Sequence, residues 1–221
     1  MSIDPIASKL ASEGVAYAPQ IAGAARRHGL DPGLLAAVAA QETGGPDTNA
    51  GHNEVGDGGH GRGLFQIDDR WHAFASTPAA MDPGANADYA AGMISGLLKR
   101  YGGNVRSALS AYNAGSPTAT GTRTRWSDGS DLSYADSVLR HYQRLTGGPA
   151  QSSESTQSTA IAESGSEIAS TGVLRARAQR LPFVAPIAAS AHQTRPNSAN
   201  YSRAATDYVA LFNDDTDENN S

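Results

Sequence analysis

Cysteine is absent from the chain, which removes both a disulfide framework and any thiolate metal site. That absence leaves the compartment open. Positive charge is also short. Lys and Arg number 17 against 22 Asp and Glu, a net −5, which argues against a general nucleic-acid binder. No apolar run approaches the roughly 18–20 residues of a membrane span. The first residues, Met-Ser-Ile-Asp-Pro-Ile-Ala-Ser-Lys, lack the basic start and apolar core of a secretory signal. The expectation is a protein soluble as made, which something else must deliver if it acts outside the cytoplasm. Hydrophobic residues make up 39% of the 221, enough for one domain with a core and an extension.

Apolar periodicity and breaker residues divide the chain. Residues 5–28 read as helix with a break near Pro19; Ile21, Ala24, Ala25 and His28 form a stripe, and Gly29 is a stop. Asp31-Pro32 reads as an N-cap followed by Pro at the first helical position, opening a helix to Glu42. Residues 43–63 are glycine-rich with few apolar side chains and read as a long surface loop. Leu64-Phe65-Gln66-Ile67 is a strand or a single helical turn. Helices are expected over 86–101, 104–113 and 132–145. Composition changes after Leu145: Gly147-Gly148-Pro149 opens a Ser/Thr/Gln/Ala stretch with too little apolar surface to offset its ordering entropy. Within it, residues 173–181 read as a short basic helix, and the end is acidic. A folded domain over 1–146 and an extension over 147–221, disordered or ordered by a partner, follow from this.

Glu42 stands where the apolar run Leu34–Gln41 meets a Thr-Gly-Gly break. Apolar surroundings disfavour an ionised carboxyl, and one that stays protonated near neutral pH can serve as a general acid. Taken alone, such a residue also fits an exposed helix end. Downstream, Gly56-Asp57-Gly58-Gly59-His60-Gly61-Arg62-Gly63-Leu64-Phe65-Gln66-Ile67-Asp68 is a glycine-rich segment with two carboxylates. No Lys-Ser/Thr follows its glycines, which argues against a nucleotide-phosphate loop. Asp57 also fits a turn-forming Asx, and Asp68 also fits a salt bridge with Arg70. Asn113, in Ser110-Ala111-Tyr112-Asn113-Ala114-Gly115, fits a helix end and can offer a donor and an acceptor to an amide-bearing ligand. Tyr134 opens the last helix. His52, His60 and His72 are eight and twelve residues apart, spacings that match no usual ligand pair, and read as solvated loop histidines. No metal or cofactor is implied.

In this order, Glu42, Gly63-Leu64-Phe65-Gln66, Ala111 to Gly115 and Tyr134 resemble the lysozyme-like superfamily of lytic transglycosylases and goose-type lysozymes. The resemblance covers about residues 18–146. Asp57, Asp68 and the following Asp69-Arg70-Trp71-His72 are similar to the goose-type branch. Thr43 departs from the Ser that usually follows the acid but keeps its hydroxyl, and the loop from 43 to 56 is the chain's own.

The resemblance implies a mainly α, lysozyme-like helical domain with a short or absent β element. It also implies cleavage of the β-1,4 bond between N-acetylmuramic acid and N-acetylglucosamine in peptidoglycan. Glu42 would protonate the glycosidic oxygen. Asp57 and Asp68 would be candidates for the base that activates water, which tilts the expectation toward hydrolysis. The alternative is attack by the muramic acid's own 6-hydroxyl, leaving a 1,6-anhydro end. Tyr112 and Tyr134 would line the cleft, and Gln66 and Asn113 would bind the sugar. A wall-degrading domain without an export signal suggests production in the bacterial cytoplasm and action in the periplasm or cell wall. Delivery would be by a holin, a secretion machine or, in the favoured reading, a phage particle that the 147–221 tail engages. A structural virion or secretion component that retains the fold is the competing class.

Overall fold

The computed structural model describes residues 4–148. Six helices dominate: α1 (Pro5–Ser12), α2 (Ala18–Arg27), α3 (Pro32–Ala39), α4 (Pro83–Arg100), α5 (Val105–Ala114) and α6 (Tyr134–Thr146). Their starts obey elementary capping chemistry. Asp31 Oδ1 accepts from the Gly33 N–H at 2.7 Å with Pro32 in the first turn, and Asp82 caps α4 in the same way ahead of Pro83. Asn104 and Ser133 cap α5 and α6.

α3 is the centre of the domain. Leu34, Leu35, Ala36, Ala37 and Val38 are all buried, so it is apolar all round, as a helix enclosed by others must be. α1, α2 and α6 pack on it, while α4 joins α2 to α5 and α5 leads back to α6. Many packing residues are alanines, which let the helix axes approach closely around Ile21, Leu109 and Val138.

The helical expectations stand with shifted boundaries. The first helix is two: the break falls at Gly14 (φ 85), and Pro19 sits inside the first turn of α2, where its missing N–H is no loss. The α3 helix does not run unchanged to Glu42. It ends at Ala39 and widens over Ala40–Gly44 into a π-turn, closed by a bond from the Gly45 N–H to the Ala40 carbonyl at 2.9 Å.

The expected surface loop over 43–63 needs correction. Within it, β1 (Val55–Gly56) and β2 (Gly61–Arg62) pair antiparallel, and β3 (Ile67–Asp68) completes a three-stranded sheet in the order β1-β2-β3. Leu64–Gln66 form the turn into β3, not a strand or helix. Periodicity could not reveal strands of two residues. They are held from outside the sheet: the buried Asn86 side chain of α4 accepts from the Phe65 N–H (2.8 Å) and donates to the carbonyls of Arg62 (3.0 Å) and Ala80 (2.9 Å). A second hairpin, β4 (Arg123–Arg125) with β5 (Asp131–Ser133), precedes α6 and was not expected. The expected extension from 147 onward, including the basic segment 173–181, lies outside the described residues save Gly147 and Gly148.

No described helix is long and apolar enough to cross a membrane. One glycine tests the anchoring of the first sheet. Gly63 has φ 72, and a Cβ there would lie 2.5 Å from the Ala80 carbonyl oxygen and 2.6 Å from Asn86 Nδ2. Gly63→Ala is therefore strained in both backbone and packing, and should destabilise the protein by about 1–3 kcal/mol. A thermal melt reads this as a lowered midpoint; an unchanged midpoint would show that the sheet is not anchored this way.

Candidate active site

The π-turn presents Glu42 to α6. Its side chain is 1% exposed, and the Tyr134 hydroxyl donates to Oε1 at 2.5 Å. Burial pushes the Glu42 carboxyl up from 4.5 to about 8, although the bond from Tyr134 pulls the other way. Tyr134 is itself fully buried and, for the same reason and because the carboxyl is beside it, is held well above 10. The phenol therefore stays a donor and Oε1 an acceptor. The carboxyl proton must then reside on Oε2, a buried atom with no hydrogen-bond partner among the described residues. Among the described residues this proton has no internal acceptor.

The other expected site residues divide. Tyr112 is fully buried and stacks on Tyr134, ring centroids 6.4 Å apart, so it supports the tyrosine that touches the acid. Asn113 Oδ1 accepts from the Thr122 N–H at 2.9 Å, while its buried Nδ2 has no hydrogen-bond partner among the described residues. Gln66 has its Nε2 turned to backbone, while its Oε1 is buried with no hydrogen-bond partner among the described residues. It is fully buried at φ 48, and its Nε2 donates to the carbonyls of Gly63 (2.8 Å) and Glu54 (3.1 Å). Gly56 and Gly61 leave room for its Oε1, which a Cβ at either would approach to 2.1 and 2.3 Å. The Gln66 amide thus ties the turn before β3 to the residues just ahead of β1 and just after β2.

Asp57 and Asp68 are brought together by Arg70. Its Nη2 donates to Asp57 Oδ2 and to Asp68 Oδ2, each at 2.5 Å, and its Nε reaches both Asp68 oxygens at 2.9 and 3.0 Å. The salt bridge open to Asp68 in the sequence is therefore formed, and Asp57 shares it. Asp57 also holds φ 48, a conformation rare for a side-chain-bearing residue.

The histidines are not uniformly solvated. His52 is exposed and His60 bonds Asp69 at 2.8 Å, but His72 is buried with its Nδ1 3.1 Å from the Tyr89 hydroxyl. Burial lowers His72 to about 4 despite the nearby Asp68, so it is neutral at pH 7. His60, Asp68 and Asp69 offer ligand atoms within 4.8 Å of one another. Asp68 is engaged by Arg70 and Asp69 by Arg62 and His60, so charge compensation is already provided.

Sequence reasoning missed Gln41, Thr43's tether and Asn86. The Thr43 hydroxyl lies 3.2 and 3.1 Å from the Ala39 and Leu64 carbonyls, and accepts from the His52 N–H at 2.9 Å. It ties the acid's turn to the first sheet, which explains why a hydroxyl suffices after Glu42. A polar cavity of about 390 Å³ opens between α5, residues 117–120 and the start of α6, with Ser110, Thr120 and Ser133 in its wall. Tyr134, whose N–H donates to the Thr120 carbonyl at 3.1 Å, links it to the acid.

The family profile described as Transglycosylase SLT domain matches residues 19–129, half of the chain. The chain belongs to the transglycosylase SLT family. This SLT domain is accordingly a lysozyme-like helical enzyme of the lytic transglycosylase or muramidase kind, acting on peptidoglycan. The match contains Glu42, both aspartates, Gln66, Tyr112 and Asn113; Tyr134 follows it.

A buried acid has a stability cost that can be measured. Glu42 titrates higher folded than unfolded, so the folded state binds the extra proton, and stability falls as pH rises from 4.5 through about 8. Glu42→Gln keeps an acceptor for Tyr134 without ionising. It should raise stability at pH 7 by up to about 3 kcal/mol, with the gain vanishing below pH ~4.5. Denaturant titrations at several pH values check this; a pH-independent difference would contradict it.

Proposed function

We propose that Glu42 of this SLT domain protonates the glycosidic oxygen between N-acetylmuramic acid and N-acetylglucosamine, with Tyr134 holding the carboxyl and Asn113 Nδ2 donating to the sugar. The observation that carries the reading is the protonated, buried carboxyl whose Oε2 has no hydrogen-bond partner among the described residues. Protonation lets the bond break toward an oxocarbenium-like sugar.

For the second step we favour intramolecular attack. The muramic acid 6-hydroxyl adds to the anomeric carbon and passes its proton to the now ionised Glu42, restoring the acid and leaving a 1,6-anhydro end. Two points support this over the hydrolysis that the two aspartates suggested. It needs no second carboxylate, and both Asp57 and Asp68 are already engaged by the Arg70 guanidinium. Hydrolysis is kept as a second reading because the first sheet holds the two carboxylates side by side. It would require one of them on the far face of the sugar, about 6.5–9.5 Å from Glu42. Delivery by a phage particle or a secretion machine, with residues 147–221 engaging the carrier, is proposed on the composition of that stretch and its acidic end.

On purified sacculi, Glu42→Gln should abolish lysis while the protein stays folded, and wild-type activity should decline as pH rises through about 8. Near-normal lysis by the variant would remove the mechanism. Mass spectrometry of the released glycans distinguishes the two second steps, since anhydro ends are one water lighter than reducing ends. Anhydro ends are expected; reducing ends alone would return the base role to Asp57 or Asp68.

A further inference from the structure

The residue beside the acid is buried, polar and unused in the mechanism. Gln41 is 3% exposed, and both ends of its amide are bonded: Nε2 donates to Thr124 Oγ1 at 2.8 Å, and Oε1 accepts from Ser137 Oγ at 2.5 Å. Ser137 in turn accepts from the Trp126 indole N–H at 3.0 Å. An indole nitrogen can only donate, so the Ser137 oxygen accepts there. The hydroxyl's own proton goes to Gln41 Oε1, and the amide lies with Oε1 toward Ser137 and Nε2 toward Thr124.

The geometry joins three elements. Ser137 and Tyr134 are three apart on α6, hence on one face, and they hold the consecutive residues Gln41 and Glu42 of the π-turn. Thr124 is in β4, and Trp126 immediately follows that strand. Arg140 of α6 lies over the Trp126 ring, 4.1 Å from its centroid, and fixes the indole from the outside. A wide helical turn is a weakly determined piece of backbone, and turns of this kind recur at functional sites. Here it is pinned on the first-sheet side by Thr43 and on the α6 side by Gln41.

We propose that Gln41 is a positioning residue for Glu42, its amide locking the π-turn to α6 and the second hairpin through a hydrogen-bond chain that runs from the Trp126 indole through Ser137 to Thr124. The inference rests on the assignment of Glu42 as the acid. Gln41 touches no substrate; it acts by holding the carboxyl in line with the scissile oxygen and under cover of α6. Loosening the turn costs alignment, to which rates are steep, and lets water reach the carboxyl.

Four variants test this in the full chain: Gln41→Leu, Trp126→Phe, and the pair Thr124→Val and Thr124→Ser. Gln41→Leu should lower kcat on glycan by about 10- to 100-fold with KM little changed. The alkaline limb of its pH–rate profile should move down by about half a unit or more. Trp126→Phe removes the first donor without touching Gln41 and should give the same shift at smaller size. Thr124→Val should follow, while Thr124→Ser, which keeps the hydroxyl, should restore wild-type values. Carboxyl NMR titration of Glu42 without substrate gives a readout independent of catalysis, and its midpoint should fall in the same order. If the wild type cuts no glycan, the proposed function fails, and the titration still decides the positioning. Folded Gln41→Leu and Trp126→Phe with wild-type kcat, pH limb and Glu42 titration would overturn it.

Discussion

One short hydrogen bond, from the Tyr134 hydroxyl to Glu42 Oε1, orders the chemistry of this domain. It is formed between two groups that burial keeps uncharged, so each has a fixed role as donor or acceptor. Because Oε1 is occupied, the acid proton is directed to Oε2. The bond also sets demands on the fold. Tyr134 must begin α6, Ser133 must cap that helix, and α6 must lie on the end of α3. Burying a carboxyl is unfavourable, and the surrounding apolar packing of α3 and its neighbours offsets the cost.

The acid is held between two small sheets. On one side, Thr43 and Asn86 tie the π-turn and the 62–65 backbone to each other and to α4. On the other, Gln41 and Ser137 tie the same turn to the second hairpin. Among the described residues, side-chain-bearing positions with positive φ are few, and two of them, Asp57 and Gln66, fall in the connections between strands of the first sheet. Such conformations persist where surroundings over-determine them, and they concentrate at functional sites. Arg70 and the bonds of the buried Gln66 amide supply that determination here.

The helices were legible because their signals are local: apolar stripes, Asp-Pro starts and glycine stops. The burial of Glu42 was harder to read: taken alone, an acid at the end of an apolar run also fits an exposed helix end, and only the motifs that follow it in order singled it out. Strands of two or three residues were not legible, since a period of two needs more positions to register. Gln66 illustrates a second limit. A motif names the residue, but whether its amide faces ligand or backbone depends on Gly56 and Gly61 clearing space for it from another strand. His72 was misjudged for a similar reason: it follows a polar segment in sequence, yet the Tyr89 side chain of α4 covers it in space. Gln41 was hidden by adjacency, because nothing local distinguishes a helix-surface glutamine from one bonded at both ends to residues more than eighty positions away.

The account depends on a carboxyl that still carries its proton at neutral pH. Infrared difference spectroscopy between the wild type and Glu42→Gln, in substrate-free protein at pH 7, observes that proton directly. A protonated-carboxyl stretch present in the wild type, missing in the variant and lost as pH rises past about 8 is the predicted result. An ionised-carboxylate signal from Glu42 at pH 7 would contradict it.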